Sequence, residues 1–294
     1  MNIKNHKMQK LLFLLILNSL IFNSLAQEKK PYSRKGEYYF FWGYNRSSYA
    51  NSDISFHGTG YDFTLHDVVA NDLPIPFSAE EYFDITRLSI PQYNFRYGYF
   101  FKDHWAVSIG SDHMKYIMVD DQLSSITGHI SAEDSNPSID VNAINPAYVG
   151  DFDHKPFVIA KDFLTYEHSD GFNYFHVELD YYNRLWKAKN NIQGVDWLAG
   201  VGAGTLIPRS DVKLFGVGIN NHFNFAGYGF SAKTGLRFDI SRRFFLQTDY
   251  MAGFVRLNNV HTTGRNDIDY AQQSIWFGQF YGALGYKFGK HRVK

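Results

Sequence analysis

A histidine beside a serine, with a carboxylate further along the segment, is the smallest set that can run acyl transfer. The serine needs a base, and the base needs an acid to orient it. Thr165-Tyr-Glu-His168-Ser169-Asp170, followed by Glu178, supplies those types. The spacing works against the chemistry, because neighbours on a strand point to opposite faces and His168 and Ser169 would not share one.

Metal and phosphate chemistry have weaker supports. His57 and His66 would have to meet across a hairpin to ligate a metal, and Asp112-His113 offers a third pair, without the tight spacing of a zinc site. The chain has no cysteine, which removes thiolate ligands, thiol nucleophiles and disulfides. Asp120-Asp121 and Asp151-Phe-Asp153 could take divalent cations through oxygen, although no EF-hand spacing is present; solvated loop charge is the simpler reading. Gly200, Gly202 and Gly204 lie within a strand pattern instead of opening a helix, so they are expected to clear space for long basic side chains and not to cradle phosphate. No cofactor is expected.

The second constellation is a set of charges buried by their own pattern. Arg96, Arg184, Lys233 and Arg237 alternate with aromatic and aliphatic residues, as do Glu178, Asp180, Asp239 and Asp249. If all eight point into one interior they must pair, since unpaired buried charge is expensive.

Strands must position them. From Ala226 to Ile240, Ala226, Tyr228, Phe230, Ala232, Thr234, Leu236, Phe238 and Ile240 share one face; Lys233, Arg237 and Asp239 share the other with glycine and serine. Phe175, Val177, Leu179, Tyr181 and Leu185 oppose His176, Glu178, Asp180 and Arg184, and Tyr93, Phe95, Tyr97, Tyr99 and Phe101 oppose Asn94 and Arg96. Apolar-out, polar-in alternation is the mark of a lipid-facing barrel strand. The 27 Phe, 21 Tyr and 5 Trp fit it, because aromatic girdles are a large part of such a wall.

Eight such strands are expected, over 37–48, 90–101, 104–119, 171–187, 194–208, 225–240, 243–259 and 274–288. The strand from Trp105 loses phase near Ser111, which predicts a bulge there. Short turns at Lys102-Asp103-His104, Ala188 to Gly194 and Ser241-Arg242 alternate with long polar connections, the periplasmic and extracellular ends of a bacterial barrel. The two largest, 49–89 and 120–170, are acidic and expected outside the cell. Ile54 to Leu65 is long enough to span, so ten strands are the alternative; poor alternation and Pro74 and Pro76 in the segment that would partner it favour a hairpin above the membrane.

The first 26 residues read as a signal peptide: Lys4, Lys7 and Lys10, an apolar run from Leu11 to Leu25, and a small-x-small site before Gln27. Of 29 basic and 29 acidic residues the leader holds three lysines and no acid, so residues 27–294, the expected barrel domain, are three charges negative. Such a chain has no general pull toward nucleic acid.

In overall plan the chain resembles small outer-membrane barrels of the OmpA and OmpX types. The stretches HGTGYDFTLHDVVANDLP and FLTYEHSDGFNYFHVELDYYNRLW are similar to an uncharacterised group of bacterial outer-membrane barrels, and the terminal Tyr286-x-Phe288 resembles their end signal, apart from six further residues. This implies an integral outer-membrane location, with outer-membrane lipid and the barrel assembly machinery as partners, and no activity. The histidine, serine and carboxylate loosely resemble lipid A deacylases, which differ in setting histidine and serine two apart. The expected function is a non-enzymatic surface or envelope-structural role with a plugged lumen. The rivals are an outer-leaflet lipid hydrolase using His168, Ser169 and Glu178, and a narrow channel.

Overall fold

Side chains that alternate in polarity every second residue drive extended backbone, and long strands must find partners for every N–H and C=O. A computed structural model describes residues 33–87, 90–136, 138–139, 145–189, 192–218 and 221–289. The expected leader and its cleavage site lie outside them.

Among the described residues of the compact unit Arg34–His291 there are fourteen strands. They are β1 (Tyr38–Tyr49), β2 (Ser52–Gly58), β3 (Tyr61–Val68), β4 (Ala70–Asn71), β5 (Tyr93–Lys102), β6 (Trp105–Met118) and β7 (Gln122–Ile130). Then follow β8 (Gly150–Ile159), β9 (Leu164–Lys187), β10 (Gly194–Leu206), β11 (Asp211–Leu214), β12 (Gly227–Asp239), β13 (Phe244–His261) and β14 (Tyr270–Phe288). One short helix, α1 (Ala79–Phe83), starts at Ser78, whose hydroxyl accepts from the Glu81 N–H.

Eight strands make a hydrogen-bonded ring in the order β1, β5, β6, β9, β10, β12, β13, β14, every neighbour antiparallel. β14 returns to β1 over twelve residue pairs, from Tyr38 with Phe288 to Tyr49 with Phe277. These are the eight strands the alternation predicts. Ile54–Leu65 forms the hairpin β2–β3 and stays out of the ring, so the count is eight and not ten.

Three ring strands overshoot the rest at the long-loop end. β2 adds to the upper end of β14, β3 to β2, β7 to β3 and β8 to β7; β11 adds to the upper end of β9. Between these layers lies an apolar cap core. Phe56 and Phe63 stack at 5.0 Å, and Phe163 meets Phe157 at 4.8 Å and Phe215 at 5.6 Å.

The bulge expected at Ser111 sits elsewhere. Met114 pairs with Phe172 and Tyr116 with His168, so Ser169, Asp170 and Gly171 on β9 stand opposite Lys115 alone, a surplus of two, and Gly171 takes a φ of +144°. β6 loses its burial alternation near Ser111 because its outward side is covered: His113 stacks on Tyr93 at 5.0 Å and bonds Asn173. A second irregularity falls at Leu185, between Trp186 opposite Val195 and Arg184 opposite Asp196, which takes Leu185 out of the outward row predicted for it.

Candidate functional site

The ring's inner face decides what can pass. Its lowest layer, at the short-turn end, is an ion-pair net. Arg184 reaches Asp196 at 2.7 Å and Asp239 at 2.6 Å, Lys287 reaches Asp239 at 2.8 Å, and Arg34 closes on Asp196.

Above it Arg237, 1% exposed, is held by rings. Its guanidinium lies 3.5 Å from the centroid of Phe245, 4.5 Å from Tyr39, 5.2 Å from Tyr182 and 5.9 Å from Phe100. None of its nitrogens has a hydrogen-bond partner among the described residues. The expected compensation of Arg237 by carboxylates is therefore corrected. A cation can be held on aromatic faces by their quadrupoles, and four rings do so here.

The third layer holds the remaining predicted charges. Lys233 meets Glu178 at 2.6 Å and Asp180 at 3.1 Å. Arg96 bridges Glu178 at 2.8 Å and Asp112 at 2.7 Å, and His176 also contacts Asp112. Asp249 accepts from Tyr281 Oη at 2.5 Å and Gln247 Nε2 at 2.8 Å. An amide layer of Asn45, Asn94 and Gln279 continues upward. Glycines make room, but not as expected for the 200–204 row. A Cβ on Gly200 would run into the Asp180 carboxylate, one on Gly202 into the Ser231 hydroxyl and one on Gly204 into the β9 backbone. Gly110 and Gly194 are the ones that clear the basic side chains of Arg96 and Arg184.

All eight predicted lumen residues thus face one interior. The net also takes in Arg34, Asp196 and Lys287, which sequence reasoning did not single out, together with His176, which it placed on the polar face without a role, and Asp112, which it named only as a metal candidate.

The hydrolytic trio is not assembled. His168 is fully buried in the cap beside Tyr116, Tyr166 and Phe172. The serine that meets its Nδ1 is Ser210, at 2.8 Å, also buried. Ser169 projects to the opposite side of the strand, and Glu178 lies ten residues down β9, about 30 Å away at the usual strand rise. Burial alone pushes the His168 pKa down to about 3. A neutral histidine sealed from solvent packs the cap; it does not meet substrate.

The candidate metal groups are separate too. His57 pairs with Asp62, whereas His66 bonds Asp53 and Thr127 and lies tilted against His154 at 5.0 Å. Asp112 and His113 face opposite sides of β6, the first in the lumen net and the second outward. Asp120 pairs with Lys161 at 3.0 Å and Asp151 with His129 at 2.7 Å. Among the described residues no three histidine or acidic side chains gather as a metal site would require.

The outer face completes the picture. Ile109, Val177, Val201, Phe230, Tyr250, Phe280 and Leu284 are each more than half exposed, and Trp105, Trp186 and Phe244 ring the short-turn end. In water such a continuous apolar belt would be unstable; against lipid it is what a wall needs. The chain folds as an eight-stranded antiparallel β-barrel whose outer face has the character of a membrane wall.

No family model and no curated protein matches the sequence. Among solved structures it is similar to Ail, the attachment invasion locus protein of Yersinia pestis, at 12% identity and TM-score 0.32, covering 86% of this chain and 99% of that one. It is similar to the outer membrane protein OprG of Pseudomonas aeruginosa at 10% identity and TM-score 0.37, covering 88% and 98%. Neisserial surface protein A follows at 9% and 0.36, covering 86% and 100%.

Proposed function

We propose that this barrel is a sealed, non-enzymatic anchor that holds a folded cap at the cell surface, for binding or for envelope stability. The observation that carries the reading is the filled lumen. Three stacked layers, ionic, aromatic and ionic again, occupy an interior only wide enough for its own side chains. Each charge there except Arg237 has an opposite charge or hydrogen-bond partner, as a structural plug demands. The cap is placed outside the cell because short turns mark the periplasmic end of bacterial barrels. The scattered His168, Ser169 and Glu178 give the lipid-hydrolase reading no support.

Two measurements test this. Purified protein in planar bilayers is expected to stay at background conductance; steady channel steps, with ion selectivity altered in Arg96→Gln, would make the lumen a pathway. Epitope tags at Asn136 are expected to be reached by antibody on intact cells and tags at Lys189 only after permeabilisation; the reverse labelling would invert the orientation.

A further inference from the structure

The chain between β4 and β5 takes an unusual route. It does not fold into the cap; it lies against the outside of the ring. Tyr82 of α1, 4% exposed, packs on Tyr44 at 4.7 Å, and the Tyr44 hydroxyl donates to the Tyr82 carbonyl. Tyr44 belongs to the outward row Tyr38, Phe40, Trp42, Tyr44 of β1. Arg46 reaches the Tyr82 hydroxyl at 3.0 Å, and Asp72 bonds the Ser47 N–H and Gln92. The segment is thereby fixed on the barrel wall at the upper edge of the apolar belt, beside the stacked ladder of Trp42, Tyr93 and His113.

Much of what it presents outward is apolar. Phe77 is 72% exposed, Leu73 46% and Ile90 44%. Its charges are folded back on one another: Arg87 pairs with Glu81 at 2.7 Å and Glu80 at 3.3 Å, with Asp84 at 3.9 Å. Apolar residues exposed next to a lipid-facing belt, with three local acids gathered on Arg87, match the physics of an interfacial anchor. In water the same residues would cost free energy that nothing on the segment offsets.

We propose that residues 72–87, with Ile90, form an interfacial arm, with Phe77, Leu73 and Ile90 seated in the lipid leaflet at the long-loop end. The occupant of this face is lipid, continuous with the lipid that surrounds the ring. The inference rests on the membrane-barrel reading, and the arm would hold the base of the cap at a fixed height above the bilayer.

The absence of cysteine makes the test direct. Phe77→Cys, Leu73→Cys, Phe230→Cys and Leu123→Cys are each labelled with an environment-sensitive fluorophore in the full chain, reconstituted into phosphatidylcholine vesicles. Phe230 reports the belt, and Leu123, 73% exposed on β7, reports the cap. The expected result is quenching at 77 and 73 by phosphatidylcholine brominated near the headgroup end of its chains, comparable to that at 230, with little quenching by aqueous iodide. Iodide quenching at 77 and 73 equal to that at 123, with lipid quenching retained at 230, overturns the arm and leaves the barrel standing. Iodide quenching at 230 as well overturns the membrane reading itself.

Discussion

The lumen and the cap share a strand and obey opposite rules. Along the lower part of β9 the inner face carries His176, Glu178, Asp180 and Arg184, and the outer face Phe175, Val177, Leu179 and Tyr181. Above the irregularity at Gly171 the same inner row becomes Leu164, Tyr166 and His168, all buried in an aromatic core, while Glu167 and Asp170 turn away from it. Strand parity is unchanged; the medium outside has changed. Where lipid wets the wall, apolar groups are stable outward and polar groups retreat inside to pair. Where water wets it, the hydrophobic effect drives apolar groups inward as in any soluble sheet. Two kinds of stability follow, one electrostatic and geometric, the other from packing.

Replacing a lumen charge that bridges two partners should have the largest effect. Arg96→Ala leaves Glu178 to Lys233 and Asp112 to His176 and Asn94, and breaking a buried pair costs up to about 3–5 kcal/mol. A lower unfolding temperature in detergent is expected, larger than for any single cap substitution. A smaller loss than in the cap would mean that water in the lumen already screens the net.

A cap substitution should act locally. Phe63→Ala is expected to cost about 3 kcal/mol, the scale for an aromatic removed from a packed core. Protease should then cut within 122–163 while the ring keeps its heat-dependent shift on SDS gels. If ring and cap fail together, they are one cooperative unit and the contrast fails.

Arg237 sharpens the comparison from inside the lumen, since it is a cation without hydrogen-bonded partners among the described residues. Arg237→Met should shift stability by no more than about 2 kcal/mol, the scale of a desolvated cation–π contact. Arg96→Met should cost more. Equal losses would mean that Arg237 is held by charge after all.

The cap should respond to acid through His168. Its folded pKa, about 3, lies below the ordinary 6.5, so the unfolded state binds the extra proton. Stability from this group is full above pH 6.5 and is lost as pH falls from there toward 3. The expected effect by pH 5 is on the order of 1–2 kcal/mol, seen as faster proteolysis of the cap. His168→Gln should flatten that dependence; an unchanged profile would assign the acid response to other groups.

The ring was readable because lipid imposes period two on every strand it touches. Tyr228, Phe230, Thr234 and Phe238 could be placed outward from the sequence alone, and with them Lys233 and Arg237 inward. The partners could not, because register is set by cross-strand pairing that no single strand displays. The aromatic cage did leave a trace. Tyr38-Tyr39-Phe40-Phe41-Trp42, Phe100-Phe101, Tyr181-Tyr182 and Phe244-Phe245-Leu246 each break alternation by putting a ring on the polar phase; of these intruders Tyr39, Phe100, Tyr182 and Phe245 hold Arg237, and Phe41 lies by Arg96. The cap was hidden in the connections Tyr49 to Ser89 and Asp120 to Asp170, whose acids mark solubility and mask the buried Phe56, Phe63, Ile126 and Phe163 between them. His168 and Ser169 suggested chemistry because adjacency in sequence was visible, whereas the contact with Ser210, 42 residues away, was not.

A cysteine scan along β9, spin-labelled one site at a time in reconstituted protein, tests the inversion most directly. Labels at 175, 177, 179 and 181 should collide with oxygen and be shielded from a water-soluble nickel reagent. Labels at 165, 167 and 169 should show the reverse, with the crossover near Gly171. Nickel access at 177 and 179, or oxygen-dominated collisions at 167 and 169, would contradict the account.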